Sequence, residues 1–163
     1  MAETLSVTDM LPNKFEPKRG YRWLLAIEGI DAFLVSKTKR PDFKLASKKI
    51  DFMNSYRKVG GKLDMGNISC TLHDPIAPSG AQQVMEWIRT HYESVSGRAG
   101  YADFYKRDIQ IKLLDPIGTV VELWDVKGAF ITDANYNSLT YDNDSEPVEI
   151  SLTLRFDNCV LQF

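Results

Sequence analysis

From Val148 to Phe156 the chain reads VEISLTLRF, with an apolar residue at every second position. Val148, Ile150, Leu152, Leu154 and Phe156 fall on one side of an extended strand, and Glu149, Ser151, Thr153, Arg155 and Asp157 on the other. Successive side chains of a strand point to opposite faces, so the segment must belong to a sheet with one buried and one polar face. Such a strand needs partners beside it and a layer over its apolar side.

The partners are legible. Tyr21 to Glu28 (YRWLLAIE) is an apolar strand between Gly20 and Gly29, and Ile30 to Val35 is expected to return as its hairpin partner. Asn67 to His73 alternates, with Ile68, Cys70 and Leu72 on one face. Asp108–Leu114, Thr119–Val126 and Ala129–Asp133 read as further strands, the first two joined by the turn Asp115-Pro116-Ile117-Gly118. One helix supplies the cover. Ser79 and Gln82 have capping-box spacing, and Ala81, Val84, Met85, Ile88 and Tyr92 then form a stripe that ends before Gly97 and Gly100. The fold class expected is mainly β: an antiparallel sandwich or barrel-like domain with one flanking α-helix.

At 163 residues, 44% hydrophobic and 26% charged, the chain suits one domain spanning 1–163, and it shows no repeat or linker. Residues 1–15 form a lead, flexible unless it docks. No apolar run approaches the ~20 residues of a membrane span. The N-terminus also lacks the order of a signal peptide, so a protein used without export through a membrane is expected. Cys70 and Cys159 lie among apolar residues and are expected as buried free thiols, with a bridge or reactive pair as the alternative.

No catalytic or metal-binding pattern emerges. The two histidines, His73 and His91, have no second ligand at metal-like spacing. Gly60-Gly61-Lys62 lacks the rest of a phosphate loop and reads as a flexible loop end. Asp142, Asp144 and Glu146 could hold Ca²⁺, yet the remaining ligand pattern is missing and a solvated acidic turn fits better. No enzyme, metal or cofactor is expected.

Charge is segregated instead. Between Lys37 and Lys62 lie Lys37, Lys39, Arg40, Lys44, Lys48, Lys49, Arg57, Lys58 and Lys62, against Asp42 and Asp51 alone, in a chain of net charge −2. The same arm holds Phe52, Met53 and Tyr56, which a solvated loop would not need. Nucleic acid would suit the cations and offer bases to stack on. A sequence pI of about 5.7 argues against it. Self-association fits better, because Asp115–Asp157 carries nine acidic residues against Lys127 and Arg155. Asp133, Asp142, Asp144 and Glu146 are the expected acidic docking surface. A contact between two different patches of one chain is heterologous, and such contacts build rings or filaments.

The run Ile50-Asp51-Phe52-Met53-Asn54, then Lys58-Val59-Gly60-Gly61 and a strand ending at His73-Asp74, resembles the arm and strand of tail tube proteins of contractile-tailed bacteriophages. The helix ending in Met85-Glu86-Trp87 follows in the same order. So does the block from Gly128 through Asn135, Leu139, Tyr141 and Asp142 to Leu152, Leu154, Phe156 and Asp157. The resemblance covers roughly residues 15 to 157, and related tubes occur in contractile bacteriocins and type VI secretion systems.

It implies a structural subunit forming hexameric rings that stack head to tail inside a contractile sheath. The implied partners are further copies, sheath protein, tape-measure protein, baseplate hub and tail terminator, with double-stranded DNA passing transiently. The implied location is the virion, after assembly in the host cytoplasm. By the same resemblance the arm at 37–62 reaches neighbouring subunits and the adjacent ring, with Phe52 and Met53 as anchors. The chain departs from the family in a longer N-terminal lead and a lysine-rich arm. A channel that must release DNA should have an acidic or polar wall, which makes Glu149, Ser151, Thr153 and Asp157 lumen candidates; Arg155, on the same face, would need a carboxylate partner. The alternative from another class is a monomeric ligand-binding β-barrel.

Overall fold

The computed structural model describes residues 15–142 and 145–163. Its strands are β1 (Trp23–Ile27), β2 (Val35–Thr38), β3 (Phe43–Phe52), β4 (Ser55–Met65), β5 (Asn67–His73), β6 (Tyr92–Glu93), β7 (Arg98–Ala99), β8 (Arg107–Leu114), β9 (Val120–Asn135), β10 (Glu149–Arg155) and β11 (Asn158–Leu161). Helix α1 spans Gly80–His91 and the single turn α2 spans Ala102–Tyr105. Seven strands form one sheet in the order β1-β8-β9-β10-β5-β2, with β11 also on β9. All pairings are antiparallel. The sheet stays open, so the barrel alternative is set aside.

Strand β9 makes the two layers. Its first half pairs with β8 and β11, and its second half with β10. The sequence suggests two strands here, ending at Val126 and starting at Ala129, but one strand of 16 residues runs through, with a register shift near Gly128. Gly128 has φ 67°, and a Cβ there would lie 2.3 Å from Asp157 Oδ2, so only glycine fits this bend.

The apolar phase of β10 is buried as its alternation requires. Ile150 and Leu154 are fully buried and Leu152 nearly so, packing with Ile68, Leu72, Ile109, Ile111 and Val126. Helix α1 covers part of this layer through Val84 and Trp87, whose Nε1 donates to the Tyr105 carbonyl at 2.7 Å.

Three local expectations are corrected. The capping box does not form: Ser79 makes no side-chain cap bond, and Asp74 Oδ1 accepts from the Ala81 amide at 3.1 Å instead. Met85 and Tyr92 lie off the buried stripe, because Val84 and Trp87 hold the core side of the helix. The Ile30–Val35 segment is no hairpin partner. After a single Ile27–Ile30 bridge it forms a 3-10 turn at Ala32–Leu34 and leaves as β2, which pairs with β5.

Candidate assembly surfaces

The basic arm is a β-ribbon. Strands β3 and β4 pair only with each other, joined at a tip where Met53 takes φ 49°. Every residue of β3 is exposed. Leu45 is 72% exposed, Phe52 71% and Met53 89%. Gly60-Gly61 does not close the arm as a loop end; it lies within β4 at a register shift, where Gly61 approaches Ala46 closely. A Cβ on Gly61 would sit 3.1 Å from that of Ala46.

The shift has a consequence for the side chains. Nearest the body, the Phe43–Met65 and Leu45–Leu63 pairs put four apolar residues on one face. Beyond it that face carries Lys49, Asp51, Tyr56 and Lys58, and the apolar residues Ile50, Phe52 and Val59 lie on the other face with Lys48 and Arg57. Lys49 sits 4.5 Å from the Tyr56 ring centroid and pairs with Asp51 at 2.8 Å.

One buried carboxylate fixes the root of the ribbon. Glu122 is the charged residue buried in the core among the described residues, 5% exposed. Its Oε1 accepts from Trp124 Nε1 at 2.5 Å and from Arg40 at 3.3 Å, and its Oε2 accepts from Lys18. Burial pushes this carboxyl upward, but the hydrogen bonds from Lys18, Trp124 and Arg40 outweigh it and hold the group below its ordinary value. Phe43 meets Trp124 with ring centroids 6.2 Å apart, and Gly66 N donates to Asp42 O at 2.9 Å to close the root. Sequence reasoning missed Glu122. The available signal was its phase, two residues from Trp124 and four from buried Val126 on one strand.

This geometry revises the charge argument. Arg40 and Lys39 are spent inside the chain, on Glu122 and on Asp42 at 2.7 Å. Lys37 lies on β2 opposite Thr71, away from the ribbon. Lys44, Lys48, Arg57, Lys58 and Lys62 have no ion pair among the described residues. The acidic half is likewise partly committed: Asp125 shares Lys127 with Asp108 from β8, Asp157 binds Lys106 at 2.7 Å, and Asp115 caps its own turn. Of the docking candidates, Asp133 is exposed on β9, Asp142 and Glu146 are exposed in the following segment, and Asp144 lies outside the described residues.

The second surface is the polar face of the β9-β10-β5-β2 layer. Ser151 and Thr153 stand between Thr71 and Ser69 on one side and Asn135 and Asp133 on the other. Glu149 lies opposite His73, Arg155 opposite Asn67, and Lys37 opposite Thr71. Lys37 and Arg155 balance Asp133 and Glu149, so hydroxyls and amides set the character of this face. Asp157 departs from it, beyond β10 and tied to Lys106. Arg155 makes no ion pair among the described residues; it opens onto a pocket bordered by Asp42 and Asp64 at the ribbon root.

Cys70 and Cys159 are buried free thiols, as expected. Burial pushes Cys70 up to about 12; burial, with Asp125 nearby, pushes Cys159 up to about 11. Both are therefore protonated and unreactive at neutral pH.

No protein-family model matches this chain, and no curated protein sequence matches it. Solved structures do. A chain from the tube-terminating cap of the anti-feeding prophage superposes with a TM-score of 0.75 at 21% identity, covering 97% of this chain and 99% of its own. A chain from the extended sheath–tube complex of the PVC extracellular contractile injection system gives 0.71 at 19% identity, covering 98% and 99%. This chain has the tube fold of contractile injection systems. Hcp1 from Flavobacterium johnsoniae shares it at a TM-score of 0.52 and 13% identity, covering 87% of this chain and 95% of its own.

Proposed function

We propose that this chain is a structural subunit of the inner tube of a contractile particle, a phage tail tube in the finer reading. Six copies close into a ring and rings stack head to tail within a sheath. The observation that carries the proposal is the ribbon. Two strands that pair only with each other expose Leu45, Phe52 and Met53. An isolated two-stranded hairpin is marginal in water, and exposed apolar side chains of this kind mark an interaction surface.

The balanced polar face of β10 and its neighbours supports a second part of the proposal, that it lines the bore. A wall on which Lys37 and Arg155 balance Asp133 and Glu149 offers passing DNA or protein no net counter-charge to bind. Sheath, baseplate, terminator and tape-measure proteins are the partners such a tube requires.

The experiment is purification followed by mass measurement and negative-stain microscopy. Six-fold rings or tubes are expected; a compact 18.5 kDa species at every concentration overturns the proposal. Microscopy of the intact particle distinguishes a DNA-filled phage from a headless injection device. Likeness to a tube-terminating cap favours a second placement, in a terminal ring. Open-ended polymerisation of the purified protein supports a repeating subunit, and arrest at one ring supports the terminal position.

A further inference from the structure

Helix α1 carries more apolar surface than its own core takes up. Gly80, Val84 and Trp87 are buried, but the adjoining Ala81 and Ile88 are only partly covered and Met85 is exposed. Between the C-terminal end of α1, at Ile88 and His91, and the second half of β9 runs an open trench of about 480 Å³. Ile88, Phe130, Ile131 and Ala134 line it together with His91 and Tyr136. The Tyr136 hydroxyl is buried without a hydrogen-bond partner among the described residues. Asp133 borders the trench, and no lysine or arginine does.

The outer half of the ribbon is its complement. Ile50, Phe52 and Val59 lie on the face opposite the one that meets Trp124 at the root, flanked by Lys48 and Arg57. At about 3.3 Å per residue, the six residues from Ser47 to Phe52 span about 20 Å. The trench wall on β9 runs from Phe130 to Ala134, about 17 Å at the same rise, and α1 adds Ile88 and His91 to it. Length, apolar character and charge therefore match.

Resting on the self-assembly reading above, we propose that the α1–β9 trench of one copy receives the outer ribbon of another, with Ile50 and Phe52 seated against Ile88 and Ala134. Along β3 the apolar residues change parity, from Phe43 and Leu45 to Ile50 and Phe52, and the bulge at Gly60-Gly61 brings Val59 of β4 onto the same outer face. The inner apolar quartet stays toward the chain's own Trp124, and the outer apolar face is left for a second copy. Ribbon and trench are different patches, so the contact propagates instead of closing a pair.

The test uses the full chain. Single variants Phe52→Cys and Ala134→Cys are mixed under mild oxidation, with the protonated native thiols as silent background. A disulfide dimer only in the mixture is expected. A double-mutant cycle on the critical concentration for assembly, Phe52→Ala with Ile88→Ala, reads the same contact without a cross-link. Each single change is expected to raise it roughly tenfold and the pair little further, because contacting residues are non-additive. Rings or tubes that form without the cross-link and show additive effects overturn the trench assignment and leave self-assembly standing. A parent chain that never assembles overturns both.

Discussion

The ribbon and the seven-stranded sheet are built from the same kind of antiparallel pairing, yet they stand in opposite relations to water. In the sheet, Ile68, Ile109, Ile150 and Leu154 are fully buried between two layers and a helix. In the ribbon, Ile50, Phe52 and Leu45 alternate with lysines over comparable lengths and stay exposed. Hydrogen-bonded pairing is common to both, so it does not account for the difference. Only the sheet has a third layer to bury its side chains, which is what gives independent stability. The sheet carries its own core, and on the proposed function the ribbon is the part that assembly completes.

The widest gap between the two regions should appear on truncating an aromatic in each. Trp87→Ala is expected to cost about 3–5 kcal/mol in urea unfolding of the unassembled chain. Phe52→Ala should change that stability by less than about 0.5 kcal/mol. Equal losses would break the contrast. Next comes the bend in β9. Gly128→Ala must accept φ near 67° and a Cβ against Asp157, at about 1–3 kcal/mol, read as a lower thermal midpoint. A midpoint unchanged by this substitution would mean that the bend relaxes freely.

Glu122→Gln sharpens the comparison, because this residue joins the two regions. A loss of about 1–2 kcal/mol is expected, with faster amide exchange at Gly66 and none at β10. The carboxyl is held below its ordinary value in the folded chain. Its contribution is therefore full above the ordinary glutamate range and is lost as pH falls through the lowered value. Acid titration of Gly66 exchange should show that loss in the parent and not in the variant. The smallest effect on the unassembled chain belongs to Lys48, Lys49 and Lys58 changed together to Glu, or to Phe52 and Met53 changed to Ser. Both should leave unfolding within about 0.5 kcal/mol and both should impair assembly. Assembly of the triple variant like the parent at low salt would remove electrostatics from the docking.

Much of this was legible in the chain because period-2 alternation survives wherever one face is buried. The strands β5, β8 and β10 follow it directly. What was hidden depends on tertiary partners. Helix α1 takes its cap from Asp74, five residues before Ser79, which no capping-box spacing encodes. The four residues of β11 are too short to show a period and exist because β9 offers them an edge. The ribbon announced itself through charge and stray aromatics, but the placing of Val59 beside Ile50 and Phe52 lies in a one-residue register shift on β4. Pairing Lys37–Lys62 with Asp115–Asp157 by net charge overlooked that Arg40 and Glu122 already meet within one copy.

Strand β9 holds Glu122 near one end, where the ribbon is rooted, and Asp133 and Asn135 near the other, on the polar face beside β10. At about 3.3 Å per residue its contour is about 50 Å of continuous backbone. A load placed on the ribbon by a contracting particle would thus enter the same covalent strand that carries the wall. The side-chain contacts of Arg40 with Glu122 and of Phe43 with Trp124 would hand the load to β9, which would then bear it in tension along one strand.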